Sequence, residues 1–417
     1  MMTVVERTHS NAVIATSDNR ERLLAGAPIF FRLVCNLISR IKYGSVTFVL
    51  PDGRALKFVG EEELASESII LVKDYAFARK IILGGDVGFF EAFAENLWDT
   101  PDIADCLYVF ARNVDLIREA FFASPLIGWI DQLRHALNKN TKSGSRRNIT
   151  THYDLGNAFY ERWLDKTMTY SSAIYSDPSA DLSAAQTMKY KALAERIDAK
   201  AGDSILEIGS GWGGFAEYAA KNIGAKVTGV TISPSQLEYA QSRIFKEGLN
   251  EKVELRLQDY RDIEGSFDKV ASIEMFEAVG KEYWPAYFHK IHDVLRPGGI
   301  AGLQVITIAD RLFDRYQRSV DFIQRYVFPG GMLPSPSILQ QQVERAGLVW
   351  KQAHSFGQDY AHTLSDWHDR FIAAWDDIRP LGFDERFKKL WRFYLGYCEA
   401  GFRAATTDVH QIAAMRV

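Results

Sequence analysis

The sequence has little of several features that would indicate particular classes of protein. Its 417 residues include only three cysteines, Cys35, Cys106 and Cys398, which are odd in number and far apart. This pattern argues against a disulfide framework or a zinc site and favours a reducing cytoplasm. No apolar run reaches the length of about 18 residues that a membrane-spanning helix needs. Residues 1–10 also lack the apolar segment of a signal peptide.

Positive and negative side chains are nearly equal in number, which gives a formal net charge of −4 at pH 7. Because there is no broad basic field, we expect no nucleic-acid partner. The nine histidines show no metal-ligand spacing, so we expect no metal. Aromatic residues, in contrast, make up 13% of the chain. This proportion indicates a large apolar site or a lipid-facing surface.

The segment 204–215, with the sequence SILEIGSGWGGF, is the most informative part of the chain. Its first five residues predict a buried strand that carries the acid Glu207. A turn into a helix follows, and it contains Gly209, Gly211 and Gly213. A strand, glycine turn and helix form a nucleotide-sized pocket, although NAD, FAD and S-adenosylmethionine sites all use one. In the dinucleotide fingerprint the acid comes about 20 residues after the glycines, whereas here it precedes them. A tight turn without a ligand is the alternative.

Alternating strand and helix patterns from residue 151 to the end predict a doubly wound α/β domain. The part of this domain from residue 330 onwards is rich in aromatic residues, and we expect it to be helical. The predicted strands are Ser204–Ile208, Lys226–Val230, Val253–Leu257, Lys269–Ile273 and Ile300–Ile306.

The N-terminal part has a different pattern. Residues 1–20 are polar and predicted to be disordered, and residues 21–137 predict a small α+β domain. A β-hairpin is predicted from Val46–Leu50 and Ala55–Val59, which are joined by Pro-Asp-Gly. Since this domain has no plausible catalytic cluster, it is either a binding module or a structural appendage.

Residues 120–130 are apolar and aromatic but too short to span a bilayer, and a basic linker follows at 138–150. An apolar wedge beside basic residues suits an anionic membrane surface. A buried hinge followed by a solvated linker is the other interpretation.

Polar residues follow each of the next three predicted strands. Thr231 and Gln236 follow the second strand, where hydroxyl and amide groups can bind a ribose. Asp259 follows the third and either accepts from an adenine amino group or caps a helix. Glu277 follows the fourth in an apolar setting, which requires that it be hydrogen-bonded, paired or functional. Tyr360 has no helical-core period and is another candidate.

The sequence resembles the cyclopropane-fatty-acyl-phospholipid synthase family, kin of the mycolic acid cyclopropane synthases, over nearly its whole length. Ordered motifs carry the resemblance: HYDLGN from His152, TYS from Thr169, E-x-G-x-G-W-G-G from Glu207, GVTIS from Gly229, QDYR from Gln258, MFE from Met275, FP-x-G from Phe328, LPS from Leu333 and FG-x-D-Y from Phe356.

The resemblance implies a Rossmann-like class I methyltransferase domain at 151–417, with a mostly parallel seven-stranded sheet. Its co-substrate would be S-adenosylmethionine, and its product a cyclopropane made at the double bond of a phospholipid acyl chain. By position, Tyr170 and Ser171 would contact the methionine part of the cofactor, and Ile273 would lie beside the sulfonium. The Gly209–Gly213 loop would cradle the cofactor, which Glu207 would also bind. Thr231 and Gln236 would hold the ribose, and Asp259 and Tyr260 the adenine. A bicarbonate ion would serve as base, bound by Glu277, Ile306 and Tyr360.

Three positions depart from the family pattern. Ser172 stands where the family has a cysteine, and Ala278 and Gln304 stand where it has histidines. Serine and glutamine can hydrogen-bond an anion but cannot carry histidine's positive charge. Methyl transfer without ring closure, giving methyl- or methylene-branched unsaturated chains, therefore stays open.

Two further alternatives are a non-catalytic lipid-binding protein and a small-molecule methyltransferase. The resemblance to this family also implies that the protein is cytoplasmic and associates peripherally with the inner face of the membrane, where unsaturated phospholipids are found. The sequence leaves a homodimer open.

Overall fold

The computed structural model describes residues 12–122 and 155–417. Within these ranges the chain divides into two compact units. Unit 1 comprises residues 12–122, 321–327 and 383–404. Unit 2 comprises residues 155–320, 328–382 and 405–417. The predicted basic linker at 138–150, the His152 motif up to residue 154, and residues 123–130 of the apolar stretch lie outside the described residues.

The strands of the described ranges, in chain order, are β1 (Val13–Ile14), β2 (Tyr43–Val49), β3 (Ala55–Val59), β4 (Glu62–Val72), β5 (Trp98–Asp99), β6 (Ser204–Ile208), β7 (Lys226–Thr231), β8 (Val253–Leu257), β9 (Phe267–Ile273), β10 (Leu295–Ile308), β11 (Leu348–Ser355) and β12 (Thr407–Arg416).

The α-helices of the same ranges are α1 (Arg20–Leu23), α2 (Ile29–Ile38), α3 (Ala76–Ala94), α4 (Ile103–Arg112), α5 (Val114–Phe122), α6 (Asn157–Tyr160), α7 (Leu182–Arg196), α8 (Gly214–Tyr218), α9 (Pro234–Lys246), α10 (Trp284–Val294), α11 (Asp310–Tyr316), α12 (Phe322–Tyr326), α13 (Pro336–Arg345), α14 (Gly357–Ala373), α15 (Trp375–Ile378) and α16 (Glu385–Arg403). No described helix is both long and apolar enough to cross a membrane.

Unit 1 contains a five-stranded sheet in the order β1-β3-β2-β4-β5. The predicted hairpin is present as β2 and β3, which pair antiparallel with Val46 opposite Phe58. Val13 and Ile14 pair in parallel with β3. This pairing differs from the predicted disorder of residues 1–20, of which residues 1–11 lie outside the described part of the chain.

Two late segments of the chain, 321–327 and 383–404, belong to unit 1. Aromatic packing explains their placement. The Phe393 ring in α16 lies 5.3 Å from Phe90, 5.8 Å from Phe93 and 4.8 Å from Phe322, measured between centroids. The division by contacts therefore differs from the predicted one, which assigned the whole of 151–417 to a single domain.

Unit 2 is built on a seven-stranded sheet in the order β11-β12-β10-β9-β6-β7-β8. β8, β7, β6, β9 and β10 run parallel, while β12 pairs antiparallel with both β10 and β11. The predicted Rossmann-like fold with a mostly parallel sheet is confirmed. The expectation of a wholly helical chain after residue 330 is wrong, because β11 and β12 form one edge of this sheet.

β6 lies between β7 and β9, so the strand order reverses at this strand. In open α/β sheets, ligands bind at such a switch point, outside the carboxyl ends of the strands. Most of the predicted site residues lie at the ends of β6, β7, β8 and β9, just after them, or in β10, and the sheet therefore brings these to one edge. Tyr170, Ser171 and Ser172 precede β6, and Tyr360 lies in α14.

Candidate active site

The loop after β6 runs close to its neighbours. Gly209 has φ +82°, and a Cβ there would lie 2.8 Å from the Met275 side chain. Its N–H donates to the Val230 carbonyl at 3.0 Å. Gly213, at φ +84°, is the N-cap of α8, and a Cβ at Gly211 would meet nothing within 4 Å. Backbone with this geometry can approach a ligand closely, so the loop fits the S-adenosylmethionine that the sequence predicts.

Glu207 lies beneath this loop with 3% of its surface exposed. Burial raises its pKa to about 8, although the Ala216 N–H and the charge of Lys189 act in the opposite direction. Its Oε2 is buried and has no hydrogen-bond partner among the described residues. An unpaired buried acceptor is costly unless a ligand completes it. The role of Glu207 in cofactor binding stays a prediction.

The segment before β6 contacts the glycine loop. Asn157 accepts a hydrogen bond from Trp212 Nε1 at 2.8 Å and donates one to the Ser235 carbonyl at 3.0 Å. The Tyr170 ring lies 5.4 Å from Tyr160 and 5.3 Å from Trp367. The Tyr160 ring in turn lies 5.0 Å from the ring of Trp212 in the loop, so Tyr170 and the glycine loop contact the same aromatic side chain.

The predicted ribose residues lie together, since Thr231 Oγ1 donates to Gln236 Oε1 at 3.0 Å. Asp259 is the N-cap of a 3₁₀ turn over Tyr260–Asp262 and accepts from the Arg261 N–H at 2.9 Å. It also pairs with the Arg261 guanidinium at 2.6 Å, which lowers the pKa of Asp259. The capping role is therefore present, and the adenine role stays a prediction. The half-buried Tyr260 ring lies 5.4 Å from Tyr287.

Glu277 sits in a 3₁₀ turn just past β9, and its Oε1 accepts from the Ile306 N–H at 2.5 Å. Burial, and then the nearby charge of Glu274, raises its pKa to about 8. Its Oε2 has no hydrogen-bond partner among the described residues. Two of the three residues predicted to bind bicarbonate are thus brought together. The third, Tyr360, donates elsewhere.

The Tyr360 hydroxyl donates to Glu274 Oε2 at 2.6 Å. Glu274 Oε1 accepts from the Ser172 N–H at 2.9 Å and from Gln304 Nε2 at 2.7 Å. Sequence reasoning missed Glu274. The available signal was a second acid, three residues before Glu277 and directly after the last residue of β9.

These contacts test whether the predicted bicarbonate fits. Tyr360, which was assigned to the bicarbonate, and Ser172 and Gln304, which depart from the family pattern, donate instead to the Glu274 carboxylate. The Ser172 hydroxyl donates to the Ala173 carbonyl at 2.9 Å. The residues present therefore do not fit a bicarbonate ion held by these donors.

A buried polar network supports the same groups. Gln304 Oε1 accepts from Gln411 Nε2 at 3.1 Å, and Gln411 also donates to the Lys189 carbonyl at 3.2 Å. Lys189 is fully buried, and its Nζ donates to the Ser171 hydroxyl at 2.6 Å. Sequence reasoning missed Lys189 and Gln411, which lie in a polar helix and in an unpredicted strand.

Side chains that could bind a metal ion do not cluster in the described part of the chain. Within residues 12–122 and 155–417, no group of three or more His, Cys, Asp or Glu side chains could hold a metal ion. The site combines the glycine loop after β6 with two buried carboxylates, Glu274 and Glu277, just past β9.

Comparison with known proteins agrees with this arrangement. The chain is 36% identical over 378 residues to the tuberculostearic acid methyltransferase of Mycobacterium tuberculosis, covering 88% of this chain and 87% of that one. It is 37% identical over 352 residues to the cyclopropane-fatty-acyl-phospholipid synthase of Escherichia coli, covering 83% and 87%.

Among solved structures, the mycolic acid cyclopropane synthase CmaA1, complexed with S-adenosylhomocysteine (SAH) and CTAB, superposes with a TM-score of 0.61. It is 26% identical, and the match covers 65% of this chain and 98% of that one. The family model for mycolic acid cyclopropane synthetase matches residues 140–412. The chain is therefore a member of the mycolic acid cyclopropane synthetase family and an S-adenosylmethionine-dependent methyltransferase.

Proposed function

We propose that the enzyme transfers the methyl carbon of S-adenosylmethionine to the double bond of an unsaturated acyl chain in a membrane phospholipid. The names of the E. coli synthase and the M. tuberculosis methyltransferase support an acyl substrate. The observation that carries the proposal is the carboxylate pair, Glu274 and Glu277, set in an apolar surrounding just past β9, at the switch-point edge of the sheet.

The chemistry explains why such a site is suitable. The π electrons of the alkene form a bond to the methyl carbon, and the carbon–sulfur pair leaves with sulfur. The second alkene carbon becomes a carbocation, and a base must then remove one proton. An alkene is a poor nucleophile, so close alignment of donor and acceptor supplies much of the acceleration.

Water would capture the cation, which requires a dry site with aromatic faces. The Trp367 ring lies 5.3 Å from Tyr170 and 6.1 Å from Tyr360, so aromatic surface extends from the predicted cofactor side to Glu274. These rings can stabilise positive charge and exclude water.

The position of proton loss decides the product. Loss from the new methyl group closes a cyclopropane, which is the first candidate. Loss from a chain carbon, or from the methyl group after a hydride shift, gives a methyl- or methylene-branched unsaturated chain. The second candidate rests on the Glu274 carboxylate, which meets the donors of Ser172, Gln304 and Tyr360 and so changes the group that accepts the proton.

Mass spectrometry of acyl chains tests both candidates. The enzyme is incubated with isotopically labelled S-adenosylmethionine and vesicles of a monounsaturated phospholipid. A labelled chain one CH₂ heavier that resists ozone is a cyclopropane, and one that ozone cleaves is a branched alkene. No labelled chain from any unsaturated phospholipid would refute the proposed function.

We also propose that the enzyme acts in the cytoplasm, at the surface of the inner face of the membrane. The apolar residues 120–130 and the basic linker at 138–150 support this location. Co-sedimentation with anionic and neutral vesicles tests it, and loss of the preference for anionic vesicles on replacing Arg146 and Arg147 by Gln is expected. The sequence also leaves a homodimer open, and the mass of the full chain in equilibrium sedimentation tests it.

A further inference from the structure

We infer that the Glu274 carboxylate is the general base of this enzyme and replaces a bound bicarbonate ion. The inference rests on the proposed alkene methylation and names the group that accepts the proton. Bicarbonate and a glutamate side chain present the same planar pair of oxygens to their donors. The difference is that Glu274 is covalently attached to the chain and is present in every molecule.

The first argument is the convergence of donors. The Ser172 N–H, the Gln304 amide and the Tyr360 hydroxyl come from segments 102, 30 and 86 residues away from Glu274 along the chain. All three meet its two oxygens at 2.6 to 2.9 Å. An acceptor fixed by three donors is held in one orientation, as a positioned base requires.

The second argument is the backbone of Glu274, which has φ +49°. A side chain other than glycine is uncommon in this region and is held there only when the surrounding structure compensates for the strain. The Glu274 N–H donates to the Gln304 carbonyl at 2.8 Å, which fixes the residue at the end of β9. This conformation directs the carboxylate to the donors of Ser172, Gln304 and Tyr360.

The third argument is electrostatic. Burial raises the pKa of Glu274, while the Tyr360 hydroxyl, the charge of Lys189 and the Gln304 amide favour the ionised form. Groups that hydrogen-bond to a carboxylate keep it available as an acceptor despite burial. Glu277 does not compete for the same donors, because its Oε1 accepts from the Ile306 N–H.

The proton transfer balances without a further reactant. One C–H bond of the carbocationic chain breaks, its electron pair forms the new C–C or C=C bond, and the proton moves to a Glu274 oxygen. The neutral carboxyl group then loses this proton to solvent before the next turnover.

The experiment compares the wild-type enzyme with Glu274→Gln and Glu274→Gly in buffer freed of carbon dioxide, with and without added bicarbonate. Glycine is suitable because it adopts φ +49° without strain and leaves room for an anion among the three donors. We expect equal wild-type rates in both buffers. Removing a general base costs about a hundredfold or more, so both variants should lose activity to that extent. Bicarbonate should partly restore Glu274→Gly only.

Calorimetric binding of S-adenosylmethionine shows that each variant is folded, and Glu238→Gln, at an exposed position in α9, is the control. A wild-type rate that falls when bicarbonate is removed, or a fully active Glu274→Gln variant, would overturn the inference. Failure of the proposed function is a separate outcome, since the wild-type enzyme would then methylate no unsaturated chain in either buffer.

Discussion

The Lys189 ammonium group donates a 2.6 Å hydrogen bond to the Ser171 hydroxyl in a region from which solvent is excluded. Burial lowers the pKa of Lys189 to about 7, while the negative charges of Glu274, Asp165 and Glu207 act in the opposite direction. We therefore assign Lys189 a positioning role. It holds the Ser171 hydroxyl, and its positive charge favours the ionised form of Glu274.

Lys189→Met should shift the acidic limb of the pH profile of kcat/KM to higher pH. Lys189 is charged below about pH 7, and there its charge lowers the pKa of Glu274. Removing this charge should raise the pKa of Glu274, and each pH unit by which the limb moves corresponds to about a tenfold lower rate at a given pH on that limb. Lys191→Met, at an exposed position in the same helix, is the control and should leave the profile unchanged. An unshifted profile in Lys189→Met would contradict the assignment.

Glu207→Gln should change how stability depends on pH. Because the pKa of Glu207 is raised from 4.5 to about 8 by folding, its contribution is fully present below about pH 4.5 and is lost as the pH rises towards 8. The glutamine variant has no such loss. Its stability relative to wild type should therefore rise from about pH 5 to pH 8 and then level off. Denaturant midpoints at several pH values measure this, with the exposed Glu195→Gln as control.

Gly209→Ala should weaken both folding and binding of S-adenosylmethionine. The new Cβ would lie 2.8 Å from Met275 Cγ, at a φ of +82°. Gly248→Ala has a similar left-handed φ of +67° with nothing within 4 Å of the new Cβ, so it is a matched control for strain alone. We expect a drop in cofactor affinity only for Gly209→Ala. Equal behaviour of the two variants in calorimetry would show that the close approach is unimportant.

Asp259→Asn tests the adenine contact separately from the cap. Asparagine still caps the 3₁₀ turn, so the free energy of unfolding should change by no more than about 0.5 kcal/mol. If the carboxylate accepts from the adenine amino group, the Kd for S-adenosylmethionine should rise about tenfold. Glu254→Gln removes a comparable carboxylate–arginine pair, to Arg256 at 2.6 Å, and should leave the Kd unchanged. An unchanged Kd in Asp259→Asn would restrict this residue to capping.

Phe393→Ala tests the placement of α16 in unit 1. The Phe393 ring contacts Phe89, Phe90, Phe93 and Phe322, so its removal should cost about 3–5 kcal/mol of stability. Phe245→Ala, at a position 72% exposed, is the control and should change little. The temperature of thermal unfolding should be lower than in the wild-type enzyme. Binding of S-adenosylmethionine to the folded variant should be retained. A change confined to cofactor binding would contradict the unit assignment.

The central strands were predictable because their apolar runs are short and bounded by turn residues. Ser204–Ile208 and Val253–Leu257 have the predicted limits. β11 and β12 were missed because LVWKQAHS and TDVHQIAAMR lack the strong alternation of a strand. Each also lies next to a segment with a helical pattern, which extended the helical prediction over them. β12 pairs with both β10 and β11, and this pairing overrides local preference.

The candidate site was predictable in part. Motif position identified Glu277, Ile306 and Tyr360, but not which carboxylate Tyr360 faces. Glu274 and Glu277 are three residues apart in one short segment, and the left-handed backbone at Glu274 decides which side chain meets the donors. No sequence pattern gives that dihedral angle. Lys189 was missed because a lysine in a polar helix is normally solvated.

The placement of α16 in unit 1 has a consequence for folding during synthesis. Lys389 Nζ donates to the Phe93 carbonyl, and these residues are 296 positions apart in the chain. The aromatic faces of α3 therefore leave the ribosome long before the helix that covers them. Domains usually fold in the order in which they are made. In this protein the unit that begins first is completed only when residues 383–404 have been synthesised, so its nascent form carries uncovered apolar surface during most of translation.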